Sequence, residues 1–381
     1  MKKIASYALG CKVNQYESEA IAELFAEKGY EVVSVDDEAD VYIINTCTVT
    51  NFGDKKSRQL IRKVKRQNEN AIVAVVGCYA QTAPEELAAV HGVNLVIGTK
   101  DKSKIVELVE DYQAEQGVQN YVTDIMHERV FEPLEIKKLA NRTRAYLKIQ
   151  DGCSQFCSYC IIPYARGPIR SRQPEDVIAE VKRLAENGFK EVVLTGIHVA
   201  SYGKDLKTIT LTDIIRQVHE VEGIERIRFS SIEPNVVTEE FAAAMAELPK
   251  VCDHFHLSLQ SGCDKTLKEM NRKYDTEKYR QAAALLRKYL PDVAITTDII
   301  VGFPGETEED YQASRAFAEE IGFSKIHVFP YSPKKGTPAA ARKDQLQNAV
   351  KQERSHDLIT VSDRMTDAFL QKHVGLSLIH I

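Results

Sequence analysis

No apolar run in the 381 residues approaches the roughly 20 that a membrane-spanning helix needs, so a transmembrane anchor is not expected. The start, Met1-Lys2-Lys3-Ile4-Ala5-Ser6-Tyr7, has two lysines but no long apolar segment or cleavage site. Secretion is therefore not expected, and the cytoplasm is. Basic excess is also lacking: 50 Lys+Arg face 55 Asp+Glu, a formal charge of -5. That excludes a uniformly basic nucleic-acid coat and leaves room for a local basic patch. Cysteine is scarce, and eight in a chain of this size are too few for a disulfide scaffold. Hydrophobic residues at 44% and charged residues at 28% suit a soluble globular protein, and the length suggests two to three domains.

What is present is strand–helix alternation. Candidate strands at Ile4–Ala8, Val32–Val35, Val41–Asn45, Ile72–Val76 and Leu95–Ile97 are interleaved with helices at Glu17–Lys28 and Asp54–Asn68. This spacing predicts an open, mostly parallel α/β sheet. Lys100–Gln116 reads as helical and Asn120–Glu135 as a connector, with a boundary near 137–143 in the polar stretch Lys137-Lys138-Leu139-Ala140-Asn141-Arg142. Six further strands follow: Arg144–Gln150, Glu191–Thr195, Arg226–Ser231, His254–Leu259, Val293–Val301 and Lys325–Phe329. The helices between them include Pro174–Asn187, Leu211–Val221, Glu239–Glu247, Thr276–Tyr289 and Thr307–Glu320. Six βα repeats suit a partial barrel or a flat doubly wound sheet, and either puts its working face at the carboxyl ends of the strands. The expected organisation is thus 1–136, 137–341 and 342–381, the last a long polar helix over 342–372 and the abrupt apolar tail Leu376–Ile381. That ending reads as a cut-off domain or an artefactual tail.

The cysteines fall where such folds do chemistry. Cys153-Ser-Gln-Phe-Cys157-Ser-Tyr-Cys160 directly follows a strand and puts three thiols on one tight loop, with no fourth cysteine or nearby histidine. Structural zinc wants four protein ligands. Three argue for an iron–sulfur cluster with one open iron, zinc and unligated thiols remaining as alternatives. Cys11, Cys47 and Cys78 each follow a different strand, so their side chains can converge on one crevice as a second three-thiol site. Glycines 10 and 77 permit close backbone approach there. Buried packing is the alternative for these three, and it is the expectation for Cys252 and Cys263. Thr195, Gly196, Ser231, Gln260 and Asp298 sit at or near strand ends of the second repeat, suiting a small cofactor packed against the sheet. Asp298 would either bond that cofactor or anchor a turn. Lys55, Lys56, Arg58, Arg62, Lys63, Lys65 and Arg66 form a basic run, in which Arg58, Arg62, Lys65 and Arg66 lie three, four or eight apart, compatible with one helical face, and Arg166, Arg170 and Arg172 follow the cysteine loop. Both sets are candidate RNA contacts, the second also a candidate for a cofactor carboxylate, against a merely solvated face.

The segments Gly10-Cys11-Lys12-Val13-Asn14-Gln15-Tyr16-Glu17-Ser18, Asn45-Thr46-Cys47-Thr48-Val49-Thr50, Gly77-Cys78-Tyr79-Ala80-Gln81 and Cys153 through Pro163 resemble the radical S-adenosylmethionine methylthiotransferases. So do Ser258-Leu259-Gln260-Ser261-Gly262 and Gly302-Phe303-Pro304-Gly305-Glu306-Thr307, and the likeness runs over nearly all of 1–370. It implies a partial (βα)6 radical-SAM barrel behind the N-terminal sheet. It implies two [4Fe-4S] clusters, a catalytic one on Cys153, Cys157 and Cys160 that chelates S-adenosylmethionine, and an auxiliary one on Cys11, Cys47 and Cys78. The first and second motifs resemble the branch acting on N6-threonylcarbamoyladenosine at position 37 of tRNA. The isopentenyladenosine branch more typically has Gln-Met after its first cysteine and an aspartate where Glu17 stands.

The implied reaction replaces the adenine C2 hydrogen with a methylthio group through a 5′-deoxyadenosyl radical. The implied partners are a tRNA anticodon loop, a flavodoxin- or ferredoxin-type reductant and a sulfur source, with the chain a monomer. A C-terminal RNA-gripping β-barrel domain usual in the family is expected to be missing, weakening tRNA binding. Competing expectations are an isopentenyladenosine or ribosomal-protein aspartate acceptor, a non-catalytic iron–sulfur electron carrier, and a zinc-bearing RNA-binding module.

Overall fold

The computed structural model describes residues 1–114, 117–136 and 143–375. The polar stretch Lys137–Arg142, where a boundary is expected, and the tail Leu376–Ile381 lie outside the described residues. The chain forms two compact units, residues 1–156 with 160–228, and residues 157–159 with 229–381.

The first unit opens with β1 (Lys3–Ala8), α1 (Lys12–Glu27), β2 (Glu31–Val32), β3 (Val41–Thr46), α2 (Asn51–Gln67) and β4 (Ile72–Gly77). It continues with α3 (Cys78–Thr82), α4 (Pro84–Ala88), β5 (Leu95–Ile97), α5 (Ile105–Glu110) and β6 (Gln119–Asn120). The strands form one parallel sheet in the order β2-β1-β3-β4-β5-β6. Every residue of β3 is buried, which is why its sequence is nearly continuous in apolar residues instead of alternating. Ile4, Val41, Ile43, Ala74 and Val76 pack on one face with Ile21 and Phe25 of α1 and Ile105 and Val109 of α5. Ala5, Tyr42, Ile44, Val73 and Val75 pack on the other with Ile61 and Val64 of α2. The sheet is doubly wound, and its order reverses between β1 and β3. That switch point opens a crevice at the carboxyl ends of those strands, since the connections leave on opposite faces.

A second sheet follows in the same unit, from β7 (Arg144–Asp151), α6 (Ile162–Arg166), β8 (Arg170–Ser171), α7 (Pro174–Glu186), β9 (Glu191–Gly196), α8 (Leu211–His219) and β10 (Arg226–Phe229). Its order is β10-β9-β7-β8, with β7 parallel to β9 and antiparallel to the two-residue β8. The second unit holds α9 (Glu239–Ala246), β11 (His254–His256), α10 (Asp264–Glu269), α11 (Thr276–Tyr289), β12 (Ala294–Val301), α12 (Glu308–Ile321), β13 (Lys325–Pro330) and α13 (Asn348–Gln371). β11, β12 and β13 are parallel, and α13 packs on β13. Among the described residues no helix is long and apolar enough to cross a membrane.

The alternation expected from sequence is present in both repeats. Four local differences have physical causes. Helix α1 begins at Lys12, five residues before the expected Glu17, because its first turns bury the polar Asn14 and Glu17 beside Val13 and Tyr16, which interrupts the apolar pattern. Among the described residues the expected helix 100–116 shrinks to a 3-10 turn at 102–104 and α5, and 115–116 lie outside them. The expected strand 32–35 is only β2, both of its residues exposed at the sheet edge. The C-terminal helix starts at Asn348 instead of 342, since Arg342 turns back to Glu269 (2.7 Å) and Asp344.

Gly77 at the end of β4 has φ +94, and a Cβ there would stand 2.4 Å from Asn45 Oδ1. Both the backbone and the space exclude a side chain. Gly77→Ala is expected to cost more than about 2 kcal/mol, read as a lowered thermal midpoint; an unchanged midpoint would contradict the packing described.

Candidate metal and cofactor centre

Three thiols stand at the ends of three adjacent strands. Cys11 follows β1 and is the residue that caps α1; Cys47 follows β3; Cys78 follows β4 and begins α3. Gly10, φ +98, lets the β1 end lie directly on Cys47: a Cβ would meet Cys47 Sγ at 2.7 Å. Buried polar side chains knit the strand ends together. Asn14 Nδ2 donates to Leu9 O (2.8 Å) and Thr46 O (3.0 Å), Asn45 Nδ2 donates to Asn14 O (3.1 Å), and Thr46 Oγ1 donates to Val76 O (2.6 Å). Each bond satisfies a polar group that burial would otherwise penalise.

Beneath the thiols lies a buried charge network. Arg166, the last residue of α6, is fully buried. Its Nε donates to Cys78 Sγ (3.2 Å), Nη1 to Glu17 Oε1 (2.6 Å), and Nη2 to Asn14 Oδ1 (2.7 Å) and Glu17 Oε2 (3.1 Å). Lys148 pairs with Glu17 (2.7 Å) and Asp151 (2.6 Å); Arg166 and Arg170 also approach Asp151, at 3.4 and 3.6 Å. Lys102 joins Glu17 (3.2 Å) and shares Glu132 at the rim (3.7 Å). Altogether four cations (Arg166, Lys148, Arg170, Lys102) meet three carboxylates (Glu17, Asp151, Glu132). The surplus positive charge is the one aimed at Cys78.

The protonation equilibria follow. Burial alone would raise the Glu17 carboxyl, but Arg166 first, then Lys102 and Lys148, hold it well below the usual carboxylate range. Burial works against the Arg166 charge, yet Cys78, Glu17 and Asp151 keep its pKa well above normal. Burial pushes the Cys47 thiol up to about 12, with Cys78 and Cys11 adding to the shift. Cys11 shows an exposed surface but is crowded by protein atoms, and that desolvation raises its thiol while Arg166 opposes it.

This donor set suits a polynuclear iron–sulfur group better than a single ion. Adjacent strands stand about 4.8 Å apart, and Cys11, Cys47 and Cys78 are delivered from the ends of three neighbouring strands, one thiol from each. Among the described residues no three His, Cys, Asp or Glu side chains gather as a single metal ion requires. Soft thiolates in a positively charged pocket are what an anionic iron–sulfur cluster needs.

The second triad lies on the loop after β7. Gln150 organises its start, donating from Nε2 to Asp151 O (2.6 Å) and Gly152 O (2.7 Å) and accepting from His198 N (2.7 Å). Cys153 N donates to Gly167 O (2.9 Å). Cys157 is buried and its Sγ accepts from Arg272 Nη1 (3.2 Å), whose Nη2 pairs with Glu233 (2.8 Å). Each triad therefore has one cysteine sulfur facing an arginine donor. From Cys160 only six residues lead to Arg166, mostly helical, a Cα separation of about 14 Å at most. α6 itself packs against α3.

The other candidates divide. Thr195 is buried on β9, and Gly196 ends that strand against Gln150. In the second unit, Ser231 is exposed, and Gln260 (φ +71) donates its N–H to Asp298 O (2.8 Å). Asp298 sits inside β12, not in a turn, with its carboxylate 3.2 Å from His256 Nε2. Cys263 is buried and donates to Asp310 (3.5 Å); Cys252 is partly buried.

Arg166 and Arg170 are corrected: both are buried and committed to internal partners, as is Arg172 with Glu180 and Glu135, so none presents charge to RNA. Arg58 is held by Tyr79 and Glu86, and Lys65 donates to Glu69 O (2.9 Å) and Ala71 O (2.8 Å) beyond the end of α2. Lys55, Arg62 and Arg66 stay exposed on one stripe of α2. Arg62 and Arg66 edge a surface hollow of about 550 Å³.

Sequence reasoning missed Asn14, Gln150 and Arg272, and gave Arg166 a different role. For the first a signal existed: Asn14 and Glu17 lie three apart, one turn into an amphipathic helix on its buried side.

Two outcomes follow. Removing Glu17 (Glu17→Ala) leaves its buried cations unpaired and is expected to destabilise the fold by about 3–5 kcal/mol; a thermal midpoint equal to that of the parent would contradict the network. A thiol near 12 is a thiolate roughly a thousandfold less often at pH 8 than one near 9. In the metal-free chain, alkylation of Cys47 followed by peptide mass spectrometry should therefore keep accelerating beyond pH 10. A plateau near pH 9 would contradict it.

Comparison with known proteins follows the same lines. A model described as the radical SAM superfamily matches residues 147–318, and one described as uncharacterized protein family UPF0004 matches residues 3–98. The threonylcarbamoyladenosine tRNA methylthiotransferase MtaB of Bacillus subtilis is 48% identical over 374 residues, covering 98% of this chain and 83% of that protein. A tRNA-2-methylthio-N(6)-dimethylallyladenosine synthase of Thermoanaerobacter sp. is 40% identical over 366 residues, covering 94% and 77%. Among solved structures, the radical S-adenosylmethionine methyltransferase TsrM from Kitasatospora setae aligns with a TM-score of 0.64 over 89% of this chain and 75% of that one. At 15% identity this is a likeness of fold, and it favours the partial radical-SAM barrel over a flat sheet for the second repeat. Radical SAM membership implies S-adenosylmethionine and a [4Fe-4S] cluster. With near-full-length identity to methylthiotransferases on top of the two cysteine triads, the chain belongs to the radical S-adenosylmethionine methylthiotransferase family.

Proposed function

We propose that this protein is a tRNA methylthiotransferase that replaces the C2 hydrogen of N6-threonylcarbamoyladenosine at position 37 with a methylthio group. The observation that carries the chemistry is the pairing of the Cys153/Cys157/Cys160 loop with a three-thiol pocket at a sheet switch point. The observation that carries the substrate is identity: 48% to a threonylcarbamoyladenosine enzyme against 40% to a dimethylallyladenosine one.

Cys153, Cys157 and Cys160 would hold the [4Fe-4S] cluster that engages S-adenosylmethionine, and Cys11, Cys47 and Cys78 a second cluster. When bound, these groups supply the one-electron chemistry and the sulfur that an unactivated aromatic C–H demands and no side chain can provide. The chain's own residues position and insulate. Asn14, Asn45 and Thr46 fix the strand ends that present the three thiols, and Arg166 holds positive charge against Cys78. Gln150 sets the entry to the other cysteine loop, and Arg272 meets Cys157. Thr195, Gly196, Ser231, Gln260 and Asp298 are proposed to line the S-adenosylmethionine site.

Lys55, Arg62 and Arg66 offer exposed charge for the phosphates of an anticodon loop, whose bases RNA can splay out at modest cost. A flavodoxin- or ferredoxin-type reductant and a sulfur donor complete the proposed cycle, in the cytoplasm and with the chain as a monomer.

Nucleoside mass spectrometry of tRNA from a strain lacking the gene tests the substrate. The methylthio form of threonylcarbamoyladenosine should vanish while the methylthio isopentenyl series is untouched. The reverse pattern would overturn the proposal in favour of the dimethylallyladenosine acceptor.

A further inference from the structure

Arg166 does more than neutralise Glu17. That carboxylate already has two ammonium partners, Lys148 at 2.7 Å and Lys102 at 3.2 Å. A third cation is not needed for it, and the guanidinium is placed to serve the thiol pocket. Nη1 and Nη2 are locked onto Glu17 and Asn14, which fixes the plane of the fork. Nε is thereby left pointing at Cys78 Sγ, 3.2 Å away, with all of the side chain sealed from solvent. Asn14, which receives Nη2, is the residue that ties Leu9 to Thr46, so the same fork is referenced to the strand ends carrying Cys11 and Cys47. The backbone that delivers it begins at Cys160, six residues earlier, and ends in α6 packed on the helix that Cys78 starts.

We propose that Arg166 is a positioning residue that sets the reduction potential of the cluster held by Cys11, Cys47 and Cys78, raising it through a fixed N–H···S bond and a buried positive charge. This rests on the reading of those three cysteines as cluster ligands. The reason is electrostatic: one-electron reduction adds a negative charge to the cluster without making or breaking a bond. A hydrogen-bond donor and a cation at a ligand sulfur stabilise that added charge more than they stabilise the oxidised state. Lysine could supply the charge but not the oriented Nε donor, which is why a guanidinium occupies the position.

The test is an EPR-monitored redox titration with dithionite on the full chain carrying C153A/C157A/C160A, so that only the N-terminal cluster reports. Two variants are compared with that parent. R166K keeps a charge and loses the oriented donor. E17Q/R166Q removes an anion together with a cation, so the net charge of the buried network is unchanged and folding is protected. Both should retain the parent's iron content and show a midpoint displaced to more negative potential, because both lose the Nε donor to Cys78 Sγ.

An unchanged midpoint in both variants overturns the role of Arg166, as does loss of iron from both while the parent stays loaded. A parent with no iron overturns instead the assignment of Cys11, Cys47 and Cys78 as ligands.

Discussion

One buried guanidinium organises the thiol pocket of the first unit. Arg166 is sealed from water, and a charge in such a place is tolerated only when its partners are close and well oriented, since stripping an ion of water costs several kcal/mol. Glu17, Asp151, Asn14 and Cys78 supply those partners within 2.6 to 3.4 Å. The consequence reaches outward. Holding Arg166 requires α1 to turn its polar residues inward, which requires Cys11 to stand at the mouth of that helix. It also requires the chain after Cys160 to fold back as α6 against α3. The two cysteine-bearing segments are thereby tied through one side chain.

The sheet order explains why the thiols are available. In a doubly wound sheet, connections on opposite sides leave a crevice where the strand order reverses. Here that point lies between β1 and β3, the strands that deliver Cys11 and Cys47, and the neighbouring β4 delivers Cys78. Gly10 and Gly77 remove the side chains that would fill the crevice. Burial raises the Cys11 and Cys47 thiols, so the proposed cluster would load more readily as pH rises. Arg166 works in the opposite sense to that burial, lowering the cost of the thiolate state.

Much of this was legible in the sequence. Strands ending at Ala8, Thr46 and Gly77 announce themselves by apolar runs, and the cysteine after each is visible without coordinates. The glycines and the C-x3-C-x2-C loop were equally plain. What stayed hidden were residues whose chemistry opposes their location. Arg166 and Arg170 read as solvent-facing charge because arginine is seldom fully buried, and only three-dimensional proximity to Glu17 and Asp151 reverses that. Asn14 and Glu17 masked the start of α1 for the same reason. Lys65 and Arg58 looked interchangeable with Arg62 and Arg66 on a helical wheel, yet two are committed to internal partners and two are exposed. Arg272 lies 115 residues from Cys157, and no local pattern links them.

The claim on which the whole account stands is that two separate cysteine triads each hold a cluster. Iron and acid-labile sulfide counted on the anaerobically reconstituted chain, beside a C11A/C47A/C78A variant, address it most directly. The account predicts about eight of each per chain in the parent and about four in the variant, the latter still showing a [4Fe-4S] Mössbauer signal. Equal counts in the two proteins, or zinc in place of iron, would contradict it.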